Sequence, residues 1–340
     1  MFGLIEVTET LLRSGSKTIR PLRVELGLTA WSYSRHLQRL IVDFGAESSF
    51  ESSSKRLKLH HQVTVSRSSI RKITLQHAKS IKEQNEPVGS HGKLKSRGAC
   101  CIITEMDGSM IPIVDCSAGK SSSDSRKSRD CYWKEGRLCA AQAQGSHATR
   151  YGVSFGSVEQ AGFTWSATVA KLDWSIETHL HVVGDGAPWI AQQSSECLNA
   201  GYLVDFYHVC DYLAAASVTA ATHSRWLDIQ KKRLKNNRPD KVINALKPHL
   251  EKADCPDKES PVRAASRYLS NRIHQLDYHS AIEKGLPIGS GMIESAHRHV
   301  LQARLKIAGA WWTQENAEAM AALRVARANE EEQGYWKKAP

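Results

Sequence analysis

The sequence predicts an α/β protein: a mixed five-stranded sheet with flanking helices, interrupted by an all-α insertion and preceded by a basic helical region. Three observations carry this expectation. Short apolar, strand-like runs cluster between residues 100 and 208, the pattern from 209 to 284 is helical throughout, and the excess positive charge lies ahead of both. With 340 residues, 41% of them hydrophobic, the chain can bury one large core or two to three smaller ones. The boundaries expected are 1–98 for the helical region and its linker, 99–208 for the first part of the sheet domain, 209–284 for the insertion, and 285–340 for helices that complete the core.

In the first region, Tyr33, Leu37, Leu40 and Phe44 recur at helical spacing within residues 30–44, and Gly45 reads as the stop. A shorter helix is expected from Phe50 to Leu59. Ser66 then reads as the N-cap of a long helix carrying Ile70, Ile73 and Ile81. A short turn into a helix that opens Ser-Arg-Ser-Ser-Ile-Arg-Lys has the pattern of a helix-turn-helix, whose second helix enters the major groove. The alternative is an ordinary helical bundle with a solvated basic face. Residues 1–98 hold 17 Lys or Arg against 8 Asp or Glu, a net +9 of the chain's +11. Such asymmetry points to a polyanion partner; a ribosomal or membrane surface fits the charge as well as double-stranded DNA does, and on the DNA reading Arg67, Arg71 and Lys72 are the first contacts. Pro87 to Gly98 reads as a linker.

No apolar run approaches the roughly 20 residues of a membrane helix, and the first residues lack the apolar block of a signal peptide. The eight cysteines form no C-x-x-C pair, so neither a zinc ribbon nor a disulfide framework is indicated. Reduced thiols in a cytoplasmic protein with no membrane partner are the expectation.

From Cys101 the texture changes. A strand is expected to Gly108, with Asp107-Gly108 as a hairpin turn into Met110–Val114. A Ser-rich loop, Gly119 to Asp130, precedes a third strand over Arg137–Gln142. A helix follows from Ser157 to Lys171. His179 to Val183 then reads as a buried strand, turned sharply by Gly184-Asp185-Gly186 into a helix that Ala187-Pro188 opens. A fifth strand is expected within Gly201–His208. Three antiparallel strands, helix, strand, helix, strand is the order of the RNase H-like fold, which carries one acid on its first strand and another at the end of its fourth. Asp107 and Asp185 fall on those positions. Each also has a plainer explanation: a hairpin turn for Asp107, a helix cap for Asp185.

The insertion carries spaced apolar residues (Leu246, Leu250, Tyr268, Leu269, Ile273) and a basic segment, Lys231, Lys232, Arg233 and Lys235, that is either a DNA contact or a solvated helix face. After it, Gly285 to Arg298 is a Gly-rich turn feeding a long helix. Glu294 lies in the first turn of that helix, where its dipole favours an acid, and Arg298 joins the basic residues assigned to DNA. Asp205 and His208, at the end of the fifth strand, either support the site by orienting substrate or bond one another across a strand-helix junction. Trp311 and Trp312 either stack on unpaired bases or belong to the core.

Three carboxylates brought together raise one another's pKa unless cations offset them. Oxygen-only ligation suits Mg²⁺ or Mn²⁺, and two such ions clamp the attacking and leaving oxygens of a phosphodiester.

The chain resembles a bacterial insertion-sequence transposase of the DDE class, ISKra group. The residues that carry the resemblance are Asp43-Phe-Gly-Ala-Glu, Ser69-Ile-Arg-Lys-Ile-Thr with His77-Ala, Asp107-Gly-Ser, Trp133-Lys-Glu, Gly184-Asp-Gly-Ala-Pro-Trp-Ile, Asp205-Phe-Tyr-His, Gly289-Ser-Gly-Met-Ile-Glu-Ser-Ala-His, Ala308-Gly-Ala-Trp-Trp and Ala322-Leu-Arg-Val-Ala-Arg-Ala-Asn. The Gly-Ser-Gly and Trp-Trp blocks are the most specific. What the resemblance implies is an RNase H-like core interrupted by a helical insertion, metal-binding catalytic acids at Asp107, Asp185 and Glu294, terminal inverted repeats and target DNA as substrates, and a homo-oligomer on DNA. Two other readings are a structure-selective, resolvase-type nuclease of the same fold and a transposase-derived DNA-binding regulator without activity.

Overall fold

The computed structural model describes residues 8–15, 17–25, 33–85, 98–115 and 129–338. The expected linker and Ser-rich loop lie, but for their last residues, outside these. In chain order the elements begin with a two-stranded ribbon, β1 (Leu12–Ser14) and β2 (Lys17–Ile19), then α1 (Pro21–Glu25), α2 (Arg35–Glu47), α3 (Phe50–His61) and α4 (Arg67–Asn85). Strands β3 (Cys101–Asp115), β4 (Asp130–Ala143) and β5 (Thr149–Ser154) follow, then α5 (Val158–Ala170), β6 (His179–Gly184), α6 (Pro188–Leu198) and β7 (Leu203–Val204). Next come α7 (Phe206–Ala220), α8 (Trp226–Lys235), α9 (Pro239–Leu246), α10 (Pro261–Asn271) and α11 (Tyr278–Glu283). The last are α12 (Gly291–Ala296), a π-helical turn (His297–Gln302), α13 (Ala303–Leu305), α14 (Gln314–Ala328) and α15 (Glu332–Lys338). None of the described helices is long and apolar enough to cross a membrane.

The chain forms two compact units. Unit 1 gathers residues 1–86, 110–134 and 298–340; unit 2 gathers 87–109 and 135–297.

Unit 2 is mixed α/β. Its five-stranded sheet has the order β5-β4-β3-β6-β7, with β4 and β5 antiparallel and β3, β6 and β7 mutually parallel. Both faces are covered, which is why β6 reads as a continuous apolar run rather than an alternating one. Ile102 and Met106 of β3 pack with Trp165 and Val169 of α5 and Ile190 and Leu198 of α6. Between them Thr104 takes the Trp165 indole N–H at 2.7 Å and donates to the Ala140 carbonyl at 2.8 Å, so this buried hydroxyl is satisfied. Cys101 and Ile103 point the other way, into a core with Val183, Leu203, Phe206, Leu213, Leu246 and Leu269. The insertion therefore shares a core with the sheet. Residues 209–284 hold helices and turns without a strand; of the spaced apolar positions, Leu246, Tyr268 and Leu269 are buried, whereas Leu250 and Ile273 are exposed at the ends of helical turns.

Three expectations about strands are corrected. Asp107-Gly108 is no hairpin: β3 runs through it unbroken, and Gly108 is there for room, because a Cβ would collide with the Glu135 carboxylate. The true hairpin joins β4 to β5 around Gly145 (φ 79°), so β5 supplies the strand that Met110–Val114 does not. The fifth strand is only two residues long, because Asp205 ends it by capping α7: its Oδ1 accepts the N–H groups of Tyr207 at 2.6 Å and His208 at 3.0 Å.

Unit 1 is helical apart from the ribbon and the strand ends. Ser34, Ser49 and Ser66 cap α2, α3 and α4 through their hydroxyls. The buried face of α2 is not the expected one. Gln38, Ile41, Val42, Gly45 and Ala46 face inward, and Tyr33, Leu37, Leu40 and Phe44 are half-buried. Gly45 does not stop the helix but lets α4 approach, since a Cβ there would strike Thr74. The carbonyls that α2 leaves unpaired at its end are taken by buried arginines: Arg304 Nε donates to Gly45 O at 2.9 Å and Arg324 Nη1 to Ala46 O at 3.1 Å. The two tryptophans part company. Trp312 is buried and pairs its backbone with β3 at Pro112 and Val114, whereas Trp311 is exposed beside Trp133.

His77 ties α4 to α2 and α15, with Nε2 2.9 Å from Gln38 Oε1 and Nδ1 2.7 Å from Tyr335 Oη. Burial, with the charge of Arg35 added, pushes its pKa from 6.5 down to about 4. A histidine lowered in this way contributes stability above its unfolded pKa that is lost as pH falls through its folded one. The unfolding free energy should therefore drop by about 3 kcal/mol between pH 7 and 4 on this account alone. Denaturant titrations of His77→Gln should show a flatter pH dependence than the wild type; an unchanged slope would assign the effect to another group.

Candidate active site

Unit 2 brings the predicted acids toward one end of its sheet. The parallel register pairs Glu105 with Val183. Asp107 and Asp185 each lie two residues further along the chain from that pair, and the charge of Asp185 reaches Asp107. Asp107 is half-buried, and its Oδ1 accepts the Gly108 N–H at 2.7 Å. Burial and the charges of Asp185, Glu135 and Glu294 raise its pKa from 3.8 to about 6, against the lowering effect of the Gly108 N–H. Two of the predicted acids, Asp185 and Glu294, thus act on the third, as does Glu135, which the sequence reading left out. Among the described residues, no three His, Cys, Asp or Glu side chains are drawn close enough to form a metal-holding group.

Asp185 sits in a turn that is locked from three sides. Its Oδ1 accepts the Ala187 N–H at 2.8 Å; the N-cap of α6 is Ala187 itself, so Asp185 braces the turn before the helix and is not the helix cap the sequence suggested. Tyr202 Oη accepts the Gly186 N–H at 2.9 Å, Tyr268 Oη donates to Asp185 O at 2.6 Å, and Arg272 donates to Gly186 O through Nε at 2.9 Å and Nη2 at 2.7 Å. Arg272 also stacks on Tyr268, 4.0 Å from its ring centre. Tyr268 and Arg272 belong to α10 and its C-cap, so the insertion fixes the turn that carries the second acid. Gly186 has φ 87°, and a Cβ on it would collide with Tyr268 Oη.

Glu294 lies exposed in the first turn of α12. One helical turn later, His297 reaches back to the first acid, with Nε2 3.4 Å from Asp107 Oδ2. The Glu-Ser-Ala-His spacing was the available signal, because residues i and i+3 share a helix face. The segment before α12 is held to the sheet by two buried acids. Glu105 Oε2 accepts the Ile293 N–H at 2.7 Å. Asp205 Oδ2 accepts the Ser290 N–H at 2.6 Å and hydroxyl at 2.5 Å. Asp205 is thus bonded to the backbone of His208, not to its ring, which packs edge-on against Tyr212 and Tyr268. Burial raises the Glu105 carboxyl to about 8, the nearby charges of Asp205 and Glu294 adding to it. Glu105 went unnoticed in sequence, although it lies two residues before Asp107 on the same face of an otherwise apolar strand.

The basic residues assigned to DNA are distributed over both units. Arg67, Arg71 and Lys72 are exposed along the start of α4, and Arg67 lies 3.6 Å from Glu51. On α8, Lys232 is exposed, Lys231 is half-buried, and Lys235 rests 4.9 Å from the Phe206 ring. Arg233 is engaged locally, with Nη1 3.1 Å from Gln230 Oε1. Arg298 is exposed in the π-helical turn. Unit 1 carries 26 Lys or Arg against 16 Asp or Glu, net +10, while unit 2 carries 20 against 19, net +1.

The locked turn can be tested through its glycine. Gly186→Ala should lower stability by roughly 2–3 kcal/mol, from backbone strain and the collision with Tyr268. Gly291→Ala, with open space around it, should be neutral within about 0.5 kcal/mol. Thermal melts of the two variants decide; equal effects would count against the packing described.

A family model described as an uncharacterised protein family, UPF0236, matches residues 25–338. Two UPF0236 proteins of Caldanaerobacter subterraneus subsp. tengcongensis are each 23% identical to this chain over 146 residues, 43% of its length. The matched part covers 30% of one relative and 28% of the other, so the chain aligns with less than a third of each. The name of the first joins four locus designations, that of the second two. Because the family model spans nearly the whole chain, this protein belongs to the UPF0236 family.

Proposed function

We propose that this protein is a DNA transposase of the DDE class, with an RNase H-like unit 2 that cuts and joins strands at the ends of an insertion sequence. One observation carries the reading: Asp107 stands on the central strand, parallel to the strand that leads into Asp185, where the charges of Asp185, Glu135 and Glu294 all reach it. Carboxylates crowded in this way hold a store of unfavourable repulsion that a divalent cation relieves. The sheet order supports the fold, since β5-β4-β3-β6-β7 places three consecutive strands on one side and two parallel ones on the other. Relatives whose single names join several loci fit genes that multiply within a genome.

The donor chemistry suits Mg²⁺ or Mn²⁺, because Asp107, Asp185 and Glu294 offer only oxygen, and an ion held by all three would have to draw them closer together than they stand. When bound, such ions activate the attacking water or hydroxyl and neutralise the leaving oxygen. The chain's own residues do the rest. Tyr202, Tyr268 and Arg272 keep Asp185 in a fixed turn, His297 sits beside Asp107, and the basic surface of unit 1 attracts the phosphate backbone.

Asp185→Asn should abolish Mn²⁺-dependent nicking of element-end DNA while leaving DNA affinity within about threefold, since one carboxylate is lost and no fold contact beyond the Ala187 N–H depends on its charge. Full nicking by that variant, or by the wild type in EDTA, overturns the assignment. In the full chain, replacing Arg67, Arg71 and Lys72 together with Ala should weaken DNA binding and reduce the slope of log affinity against log salt by roughly 2–3. An unchanged slope would remove α4 from the DNA interface.

A further inference from the structure

We propose that Glu105 and Asp205 are positioning residues, a pair of buried jaws that hold the backbone of residues 288–293 and thereby set where Glu294 stands. The proposal rests on the reading of Asp107, Asp185 and Glu294 as the reacting site. Neither jaw is a catalytic residue: Glu105 is 1% exposed and Asp205 3%, so both are closed off from substrate.

The grip is made of backbone contacts in sequence. His181 Nε2 lies 2.7 Å from Pro287 O, and Phe206 N donates to Ile288 O at 2.8 Å. Asp205 then takes the N–H and hydroxyl of Ser290, and Glu105 takes the N–H of Ile293, with a further bond from the Met292 N–H. The residue after Ile293 is Glu294. Glu105 is two positions from Asp107 on one face of β3, and Asp205 follows the strand beside the one that delivers Asp185. The same strands that place the first two acids thus grasp the segment carrying the third. A gripped backbone transfers the sheet's register to Glu294, which no sequence neighbour of Asp107 or Asp185 otherwise constrains.

The two jaws differ in a way that makes the idea sharp. Asp205 receives four donors, two on each oxygen: Tyr207 and His208 N–H on Oδ1, and both groups of Ser290 on Oδ2. An asparagine would turn its amide N–H₂ toward one pair of donors and lose both. Glu105 uses Oε2 for Ile293, and a glutamine carbonyl turned toward the start of α12 keeps that bond.

The test uses the full chain, with hydrogen exchange followed by mass spectrometry over residues 288–296 and nicking measured across Mn²⁺ concentrations. Glu105→Leu should speed exchange in 290–293 by roughly tenfold or more, the loss of a buried bond to a charged or polar acceptor. It should also raise the half-saturating Mn²⁺ concentration with the KM for DNA unchanged. Glu105→Gln should restore both to near the wild-type values, whereas Asp205→Asn should behave like Asp205→Ala. If Glu105→Leu fails to fold, the contrast between Glu105→Gln and Asp205→Asn still decides. Unchanged exchange in a folded Glu105→Leu, or a Glu105→Gln as impaired as Asp205→Asn, overturns the clamp. Absence of nicking by the wild type instead overturns the transposase reading, while the exchange pattern continues to judge the grip on the segment.

Discussion

The parallel pairing of β3 with β6 is the constraint on which unit 2 depends. A parallel pair cannot be closed by a tight turn, so the chain must leave the sheet and return through α5, which caps one face. The alternation along β3 then sorts its residues: Ile102, Thr104 and Met106 toward α5, Cys101 and Ile103 toward the opposite core, with Glu105 and Asp107 continuing that second row. Buried polar groups on the two rows are tolerated only because each finds a partner. Thr104 passes a hydrogen bond from Trp165 to Ala140, and Glu105 caps an incoming helix, so neither is left as a buried orphan.

The helical insertion is bound into this arrangement rather than appended to it. Leu246 and Leu269 share a core with Val183 and Leu203, and α10 reaches the Gly184–Gly186 turn with a tyrosine and an arginine stacked on each other. Arg272 spends its fork on one carbonyl oxygen, which leaves its charge near the turn as well as its geometry. An insertion that only extended the DNA-binding surface would need none of these contacts.

Much of this was legible in the sequence where a local rule agreed with the tertiary outcome. The helix beginning at Ser157, proline at the start of α6, and the apolar run of β6 all read correctly because packing reinforced them. Asp107-Gly108 misled because its dipeptide is a turn signal, and only the Glu135 side chain on the neighbouring strand reveals that the glycine provides space. The face of α2 misled for a related reason: small residues, Gly45 and Ala46, mark the close approach of α4, and a search for large apolar side chains passes over them. Glu105 was hidden because its role depends on an amide 188 residues away. Such a partner leaves no mark on the local pattern.

Unit 1 has a consequence for how the protein is made. Its helices α2, α3 and α4 are synthesised early, but the groups that satisfy them arrive at the far end of the chain: Arg304 and Arg324 for the carbonyls of α2, Tyr335 for His77, and α14 along the flank of α4. During translation the early helices emerge with their apolar stripe and helix-end carbonyls open, and they must wait through the whole of unit 2 before closing. Ribosomes that stall or messages that are cut short therefore release a chain whose unit 1 is unfinished. For a protein whose excess positive charge lies in that half, complete synthesis decides whether the charged surface is presented on a closed fold.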